Sequence, residues 1–563
     1  MAAKNNAFFI SIDGLRADHL SGLLQRGYLN AERGFRWLIK HSAHSFAATA
    51  VKTSITWPSH AAILTCAPPA KNGIYFNSFL INGKRTFAGE VDFQSETLFH
   101  AARRQGKRVL AVRYPHIDRK GINRQVDYGV FNGSDQSFSS NHVLSSLKKP
   151  TNWRGLKNDV KYYEITLNDR RLRRVAKVFK KILVEVSGSE IAVVFDTDFD
   201  LSNGVQARMT TARVGPNFLT FVAPVDSGWQ KQRVTARFLN YDKKSFDLLI
   251  ESSMNETSNA QIDKTLAEND LVSAPFFGLR GFGTNDRFFE FSDVVGKMIA
   301  ERDIYTSQVT RVLWQKFKPD VTFSYIQSID FYGHIYEGAL KLPFLDNLTH
   351  KVNKAYLEVF ESADRNLSQI LSLADLDNDV IVVNGDHGMA PVRHVINLRK
   401  AVSDTYGSRF KYLTNASKVL VYNNNSEDDQ ATGARAFAAV AKNLSKIRVN
   451  NEPVIDQIEL YRKEDAHNWD YGAAIAALTP EVGFHLEYSF AKSLRSEPTA
   501  PLGSHGYAPE KSEMKTAAFF YKKGLKPTPL GQMSLIDVVP TFAYLYGVRP
   551  PDGCKGSSLL GSK

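Results

Sequence analysis

Five short segments carry acid, hydroxyl or imidazole groups where an apolar run gives out. The candidates they offer are three Asp, three His and a Thr, an inventory suited to metal-assisted phosphoryl transfer. The first is Ile10-Ser11-Ile12-Asp13-Gly14-Leu15-Arg16. Asp13 ends a strand pattern and Gly14 permits a tight exit. Ligands gather at such strand ends in open α/β sheets, so Asp13 is a candidate metal ligand, with a plain Asp-Gly turn as its competing role. The second is Thr53-Ser54-Ile55-Thr56-Trp57-Pro58-Ser59-His60, followed by the apolar pattern Ala61 to Leu64. Pro58 fits the first turn of a helix and puts Thr56 at its N-terminus, where backbone N–H groups and the helix dipole favour an anion. A hydroxyl there is placed to attack phosphorus. An ordinary N-cap is the competing role, and Thr53 and Ser54 are competing nucleophiles further from the proline.

The third segment, Tyr325-Ile326-Gln327-Ser328-Ile329-Asp330-Phe331-Tyr332-Gly333-His334, spaces an Asp and a His four apart, which suits oxygen and nitrogen ligation of one zinc. The fourth, Val382-Val383-Asn384-Gly385-Asp386-His387-Gly388-Met389, sets an Asp-His pair between glycines, which make an irregular ligand-bearing backbone possible. The fifth, Gly503-Ser504-His505-Gly506-Tyr507, adds one imidazole on a turn. Seven such groups suffice for two metals about 4 Å apart, which stabilise both the attacking and the leaving oxygen of an in-line displacement. His19 and His60 read as packing or capping residues.

These groups need a scaffold that brings strand ends together. Short apolar runs at Phe8 to Ile12, Arg108 to Val112, Val321 to Ile329, Val380 to Val383 and Ala517 to Tyr521 alternate with helical patterns. Such alternation predicts an α/β layer fold with a largely buried sheet. Helices are expected at Glu96 to Arg104, Val294 to Phe317 and Asp346 to Leu373. A further helix is expected from Ser534, where Ser-Leu-Ile-Asp makes a capping box, to a stop at Gly547. The rhythm changes between about Leu147 and Phe289, where a basic, helical start from Lys148 to Lys181 precedes β-branched and aromatic runs. The expected division is a core at 1–146, 290–425 and 472–563, a β-rich module at 147–289 and a small insertion at 426–471. The basic start would suit nucleic acid or an anionic surface, against the plainer reading of a solvated face.

Composition narrows the classes. Of the 563 residues 43% are hydrophobic, and there is no repeat or low-complexity tract, so a solenoid or a disordered scaffold is excluded. Lys plus Arg 71 against Asp plus Glu 58 gives +13, a mild bias towards anionic substrates. The two cysteines, Cys66 and Cys554, exclude a disulfide framework and a Cys-based zinc site, and they leave the redox compartment open. No apolar run reaches the ~18 residues of a membrane span, and Ala7-Phe8-Phe9-Ile10 is too short for a signal-peptide core. As written the chain reads as soluble and cytoplasmic. A native leader replaced by Met1 to Lys4 would make it periplasmic or secreted.

The order and local sequence of the motifs resemble the alkaline phosphatase superfamily, in particular its nucleotide pyrophosphatase/phosphodiesterase branch. The resemblance rests on Thr-Trp-Pro-Ser-His, the Ile-Leu-Thr that follows and Asn72-Gly73-Ile74, besides the Asp and His motifs. It spans roughly 1–135, 290–425 and 480–563, and implies a central mixed, mostly parallel sheet flanked by helices. It further implies Thr56 as a nucleophile that becomes phosphorylated. One zinc would lie on Asp330, His334 and His505, and the other on Asp13, Asp386 and His387 beside Thr56, with another divalent metal as an alternative in one site. By the same resemblance Asn77 donates to a non-bridging phosphate oxygen, and Trp57 lines the leaving-group side. Ser59, Trp57, Cys66 and Asn72 depart from the family's usual Asn, Phe, Gly and His, which bears on the substrate rather than on the metals.

The expected activity is therefore hydrolysis of phosphoric diesters, with a small, nucleotide-like phosphate ester as substrate. A phosphomonoesterase on the same site is the first alternative. Arg113, Arg119 and Lys120 are candidates to receive the extra phosphate charge that distinguishes it. A non-catalytic nucleic-acid or anionic-surface binder is the second. Sulfatase or phosphonate-ester chemistry is disfavoured, because no Cys-x-Pro-x-Arg motif for a formylglycine nucleophile is present.

Overall fold

The computed structural model describes residues 5–561, except for 82, 118–124, 132–135, 151–155, 157, 167–180, 188–189, 196–206, 212–216, 226–227, 242–243, 254–255, 272–291, 342, 402–408, 425–429, 462–473, 489–494 and 497–501. The chain forms two compact units, one of residues 1–129 with 313–563 and the other of 130–312.

The first unit is organised around a mostly parallel sheet. Its strands are β1 (Ala7–Ile12), β2 (Ala43–Thr49), β3 (Val109–Val112), β4 (Val321–Ile326), β5 (Val380–Gly385) and β6 (Thr516–Tyr521), in the spatial order β3-β4-β1-β5-β6-β2. The contacts β3–β4, β4–β1 and β1–β5 are parallel, while β6 runs antiparallel to both β5 and β2. Every residue of β1, β4 and β5 is buried, so both faces of these strands are mostly apolar, with Ser11, Thr322, Ser324 and Asn384 as buried polar exceptions. In β1 alone Phe8, Phe9, Ile10 and Ile12 are fully buried, each stabilising the fold by ~1.5–3 kcal/mol.

The register of the sheet sets the site. Ile12 pairs with both Ile326 and Gly385, so β1, β4 and β5 end at one level and release their next residues into one crevice. Helices cover the sheet, among them Leu98–Arg104 and the amphipathic Lys351–Leu371. The Ser534 capping box is present, with Asp537 as its acidic partner, and the helix it introduces ends at Gly547 with φ 75°. Late in this unit a four-stranded sheet in the order Phe410–Asn415, Lys418–Asn423, Ala474–Pro480, Ile455–Leu460 packs with the helix Gln430–Leu444 around Val419, Val421, Phe437, Leu444 and Ile475.

The second unit holds two four-stranded antiparallel sheets. Lys161–Thr166, Lys181–Ser187, Glu190–Phe195 and Ala207–Thr211 form one, and Gln136–Val143, Ser245–Ser253, Gly228–Tyr241 and Asn217–Val225 the other. The basic stretch departs from the helix expected there. Its residues Lys161–Thr166 are a strand, as Tyr162, Tyr163, Ile165 and Thr166 favour extended backbone; 167–180 lie outside the described residues. Among the described residues no helix is long and apolar enough to cross a membrane.

Candidate metal centre

Asp13 and Asp386 each follow the last residue of a paired strand, so the β1–β5 register makes them neighbours. Asp330 arrives differently. After β4 the chain turns into helix α2 (Ser328–Tyr336), and Asp330 lies in its first turn with His334 one turn on. The two arms meet at Gly14, whose φ is 65° and where a Cβ would stand 2.8 Å from Asp330 Cα. Only glycine fits there without displacing the aspartate. The glycines flanking Asp386-His387 serve a different purpose from the irregular backbone expected of them, since neither has a positive φ. A Cβ on Gly385 would strike Thr516 Oγ1, and one on Gly388 the Glu513 carbonyl, so they permit close packing.

The three imidazoles share one arrangement. His387 Nδ1 donates to Gly388 O at 2.9 Å, His334 Nδ1 to Gly503 O at 3.1 Å and His505 Nδ1 to Ser54 O at 3.1 Å. A carbonyl only accepts, so in each ring Nδ1 carries a proton, and Nε2 is the nitrogen turned to the other donors. Burial pushes the His387 pKa down to about 3 and that of His505 well below its usual value. His387 Nε2 lies 3.0 Å from Thr56 Oγ1, 3.4 Å from Asp13 Oδ1 and 3.3 Å from Asp386 Oδ2. His334 Nε2 lies 3.5 Å from Asp330 Oδ2, and the His505 ring stacks on His387 with centroids 3.8 Å apart.

The carboxylates are anchored on one side only. Asp13 Oδ2 accepts from the Tyr325 hydroxyl, and Asp386 Oδ1 from the backbone N–H of Gly14 (3.1 Å) and of His387 (2.9 Å). Asp13 Oδ1, Asp330 Oδ1 and Asp386 Oδ2 are buried with no hydrogen-bond partner among the described residues. Burial, followed by repulsion from Asp330 and Asp386, holds Asp13 well above the usual carboxylate range, and Asp386 is raised by burial and by Asp330. The site thus collects unpartnered carboxylate oxygens and imidazole nitrogens, an array that fits divalent metal ions. Two sets of three donors lie within 4.8 Å of one another: Asp13, Asp386 and His387, and Asp330, His387 and His505. His387 belongs to both. His334 stands at the edge of the second set, beside Asp330 and His505.

Thr56 is the first residue of helix α1 (Thr56–Thr65), and Pro58 lies in its first turn. The preceding loop is held from the metal side, because Ser54 O also accepts from Gly506 N–H at 3.0 Å. Asn77 Oδ1 accepts from the Trp57 N–H at 3.1 Å. The Trp57 ring meets Phe87 and His116 edge-on at 4.5 and 4.6 Å, and His116 Nε2 donates to the Trp57 carbonyl at 2.7 Å. His60 is a buried packing residue. Its Nδ1 donates to Thr56 O at 2.8 Å and its Nε2 contacts Ser11 Oγ at 2.9 Å, so both nitrogens are used. His19 packs against Phe344 and Tyr356. Arg113 is buried at the end of β3, with Nη2 donating to Gln327 Oε1 at 3.4 Å, while Arg119 and Lys120 lie outside the described residues.

Two of the departures from the expected pattern, Cys66 and Asn72, have structural partners. Cys66, at the C-terminal end of α1, has φ 41°, a conformation that favours glycine, and is joined by a disulfide to Cys554. Asn72 organises its own turn, donating to Ala67 O and accepting from Ile74 N–H. Tyr325, His116 and Glu337 were not singled out in the sequence. Their importance comes from pairings across distant strands and loops that no local spacing displays.

A family model described as type I phosphodiesterase/nucleotide pyrophosphatase matches residues 7–508. Among solved structures, human ectonucleotide pyrophosphatase/phosphodiesterase 5 is similar in fold at 12% identity, with 98% of this chain and 97% of that chain covered and a TM-score of 0.52. The murine enzyme of the same name matches at 12% identity (97% and 96% covered, TM-score 0.47). Phosphonoacetate hydrolase from Sinorhizobium meliloti 1021 matches at 15% identity (97% and 96% covered, TM-score 0.48). No curated protein sequence matches.

Proposed function

Because the chain belongs to the type I phosphodiesterase/nucleotide pyrophosphatase family, hydrolases of the alkaline phosphatase superfamily, we propose that it hydrolyses phosphoric diesters through Thr56 with two zinc ions as cofactors. Nucleotide-like diesters are the substrate class. When bound, the metals supply charge neutralisation at the phosphate and at the attacking and leaving oxygens. Asp330, His334 and His505 would hold one, and Asp13, Asp386 and His387 the other.

Thr56 Oγ attacks phosphorus in line from the positive end of α1. A P–O bond forms as the bond to the leaving alkoxide breaks; the hydroxyl proton passes to solvent, and the alkoxide takes a proton from water. Water then attacks the phosphothreonine, releasing a phosphomonoester and restoring the hydroxyl. Asn77, oriented through its Oδ1 by the Trp57 N–H, turns its Nδ2 donor to a non-bridging oxygen. The Trp57 ring, held by Phe87 and His116, offers a face to a flat leaving group.

The observation that carries this reading is the Thr56 hydroxyl at a helix N-terminus, 3.0 Å from an imidazole that belongs to two sets of clustered carboxylate and imidazole donors. The test is kcat/KM of the zinc-loaded protein for bis(p-nitrophenyl) phosphate against p-nitrophenyl phosphate, with Thr56→Ala as the blank. A diester preference lost in the blank is expected, with kcat down about 10⁴-fold or more and both metals retained. A monoester preference would move the activity to a phosphatase, and full turnover by Thr56→Ala would remove Thr56 as nucleophile.

A further inference from the structure

Three segments deliver most of the ligand candidates, and one side chain touches all three. Arg16 lies three residues after Asp13. Its Nη1 donates to Glu337 Oε1 at 3.1 Å, three residues after His334, and to Met389 O at 3.1 Å, two residues after His387. The outer edge of the guanidinium is occupied by Asp18, with Nε to Oδ1 at 2.7 Å and Nη2 to Oδ2 at 2.9 Å. Glu337 is 2% exposed, an unusual setting for a carboxylate on a scaffold with so much surface available. It also borders the fourth ligand segment. A Cβ on Gly503 would come within 2.3 Å of Gly333 O and 2.5 Å of Glu337 Cβ, so the turn leading to His505 is pressed against the end of α2. The two-residue strand Ala390–Pro391, which begins just after the carbonyl bound by Arg16, pairs with Gly503–Ser504.

We infer that Arg16 and Glu337 form a positioning clamp that fixes the strand exits, the end of α2 and the His505 turn relative to one another, and so sets how long the metals stay bound. Among the described residues neither makes a hydrogen bond or ion pair with the donor atoms, so both are positioning rather than catalytic residues. The fork of an arginine is required, because one planar group must bond a carboxylate and a carbonyl while a second carboxylate holds its other edge. A lysine would supply the charge without the geometry. The inference rests on the two-metal reading above.

The test is zinc release from the loaded protein into excess chelator, followed alongside the cobalt(II) absorption of the substituted protein and the melting temperature of the metal-free form. Arg16→Met alone would strand a buried carboxylate, so the informative variant is Arg16→Met/Glu337→Gln, which removes the fork and the charge together. Zinc release is expected to be about 10–100-fold faster, with an altered cobalt spectrum and metal-free melting close to wild type. Arg16→Lys should fall between. The clamp is overturned if the double variant and Arg16→Lys both hold zinc as wild type does, or if faster release only accompanies an equal loss of metal-free stability. A wild-type protein that binds no zinc would instead sink the two-metal reading beneath it.

Discussion

The two halves of the metal centre are built by different means. Asp13, Asp386 and His387 sit on the exits of adjacent parallel strands, and the pairing that runs from Ala7 with Val380 to Ile12 with Gly385 dictates their spacing. Asp330 and His334 sit on a helix, and His505 on a turn about 170 residues later. That half is aligned by carbonyl contacts, His334 to Gly503 and His505 to Ser54, and by the close approach of Gly503 to Gly333. The halves differ in exposure at one ligand: the His387 side chain is wholly buried and that of His334 is 24% exposed, while Asp330 and His505 are buried. A sheet fixes one half as a by-product of folding. The other half depends on a few long-range contacts and is where metal should come and go.

The largest effect should come from His387, a member of the strand half whose ring also lies within reach of Asp330 and His505. His387→Ala is expected to remove both metals and lower turnover by about 10⁴-fold or more, read as metal content falling from two per chain to none. Retention of one tightly held metal would assign His387 to a single half. Next in size, Asp13→Asn and Asp330→Asn should each leave one metal and cost about 10²–10³-fold in kcat/KM. The halves should part in the order of loss: on dialysis of the wild-type protein, the metal sensitive to Asp330→Asn leaves first. Simultaneous release would mean that the difference in construction does not reach the metals. In the metal-free protein both substitutions should raise the melting temperature, since burial and, at Asp13, mutual repulsion disfavour these carboxylates in their ionised form.

This asymmetry also explains what the sequence made legible. Strand exits could be read locally, because an apolar run ending in Asp13-Gly14 or Gly385-Asp386-His387 displays both the element and its end. The helix from Ser534 was equally plain, its capping box lying within four residues. The basic stretch was read as a helical start, whereas Tyr162, Tyr163 and Ile165 place a strand at Lys161–Thr166. What no spacing could give were the contacts that cross the chain. The Tyr325 hydroxyl on Asp13, the Arg16–Glu337 pair and the Cys66–Cys554 disulfide join residues 312, 321 and 488 positions apart. The purpose of Gly385 and Gly388 was likewise hidden, since their neighbours Thr516 and Glu513 arrive from the far end of the sequence.

The seam between the halves should respond more than its size suggests. Gly14→Ala adds one methyl group, yet it meets a φ of 65° and the Asp330 backbone at 2.8 Å. A cost of ~1–3 kcal/mol in stability is expected from the backbone conformation alone. Displacing Asp330 by even a fraction of an ångström should reduce kcat/KM by up to about 10²-fold, with the Asp13 metal still bound. Urea unfolding and metal content together check this, and an unchanged kcat/KM would show that the halves tolerate separation.

The smallest effect isolates the strand half. Tyr325 stands on β4, opposite Ser11 in the register, and its hydroxyl donates to Asp13 Oδ2, leaving Oδ1 directed towards His387. Tyr325→Phe keeps the ring in its buried place and removes only that donor. Asp13 then gains rotational freedom and becomes more basic, two changes that oppose each other in metal binding. The loss of orientation should win, because a ligand shared between two geometries must be ordered again at each binding event. An approximately 10-fold weaker affinity is expected for the strand-half metal, with the Asp330 metal unaffected in the same titration. If both metals weaken equally, the hydroxyl supports the whole crevice, and the two halves are coupled through β4 rather than built independently.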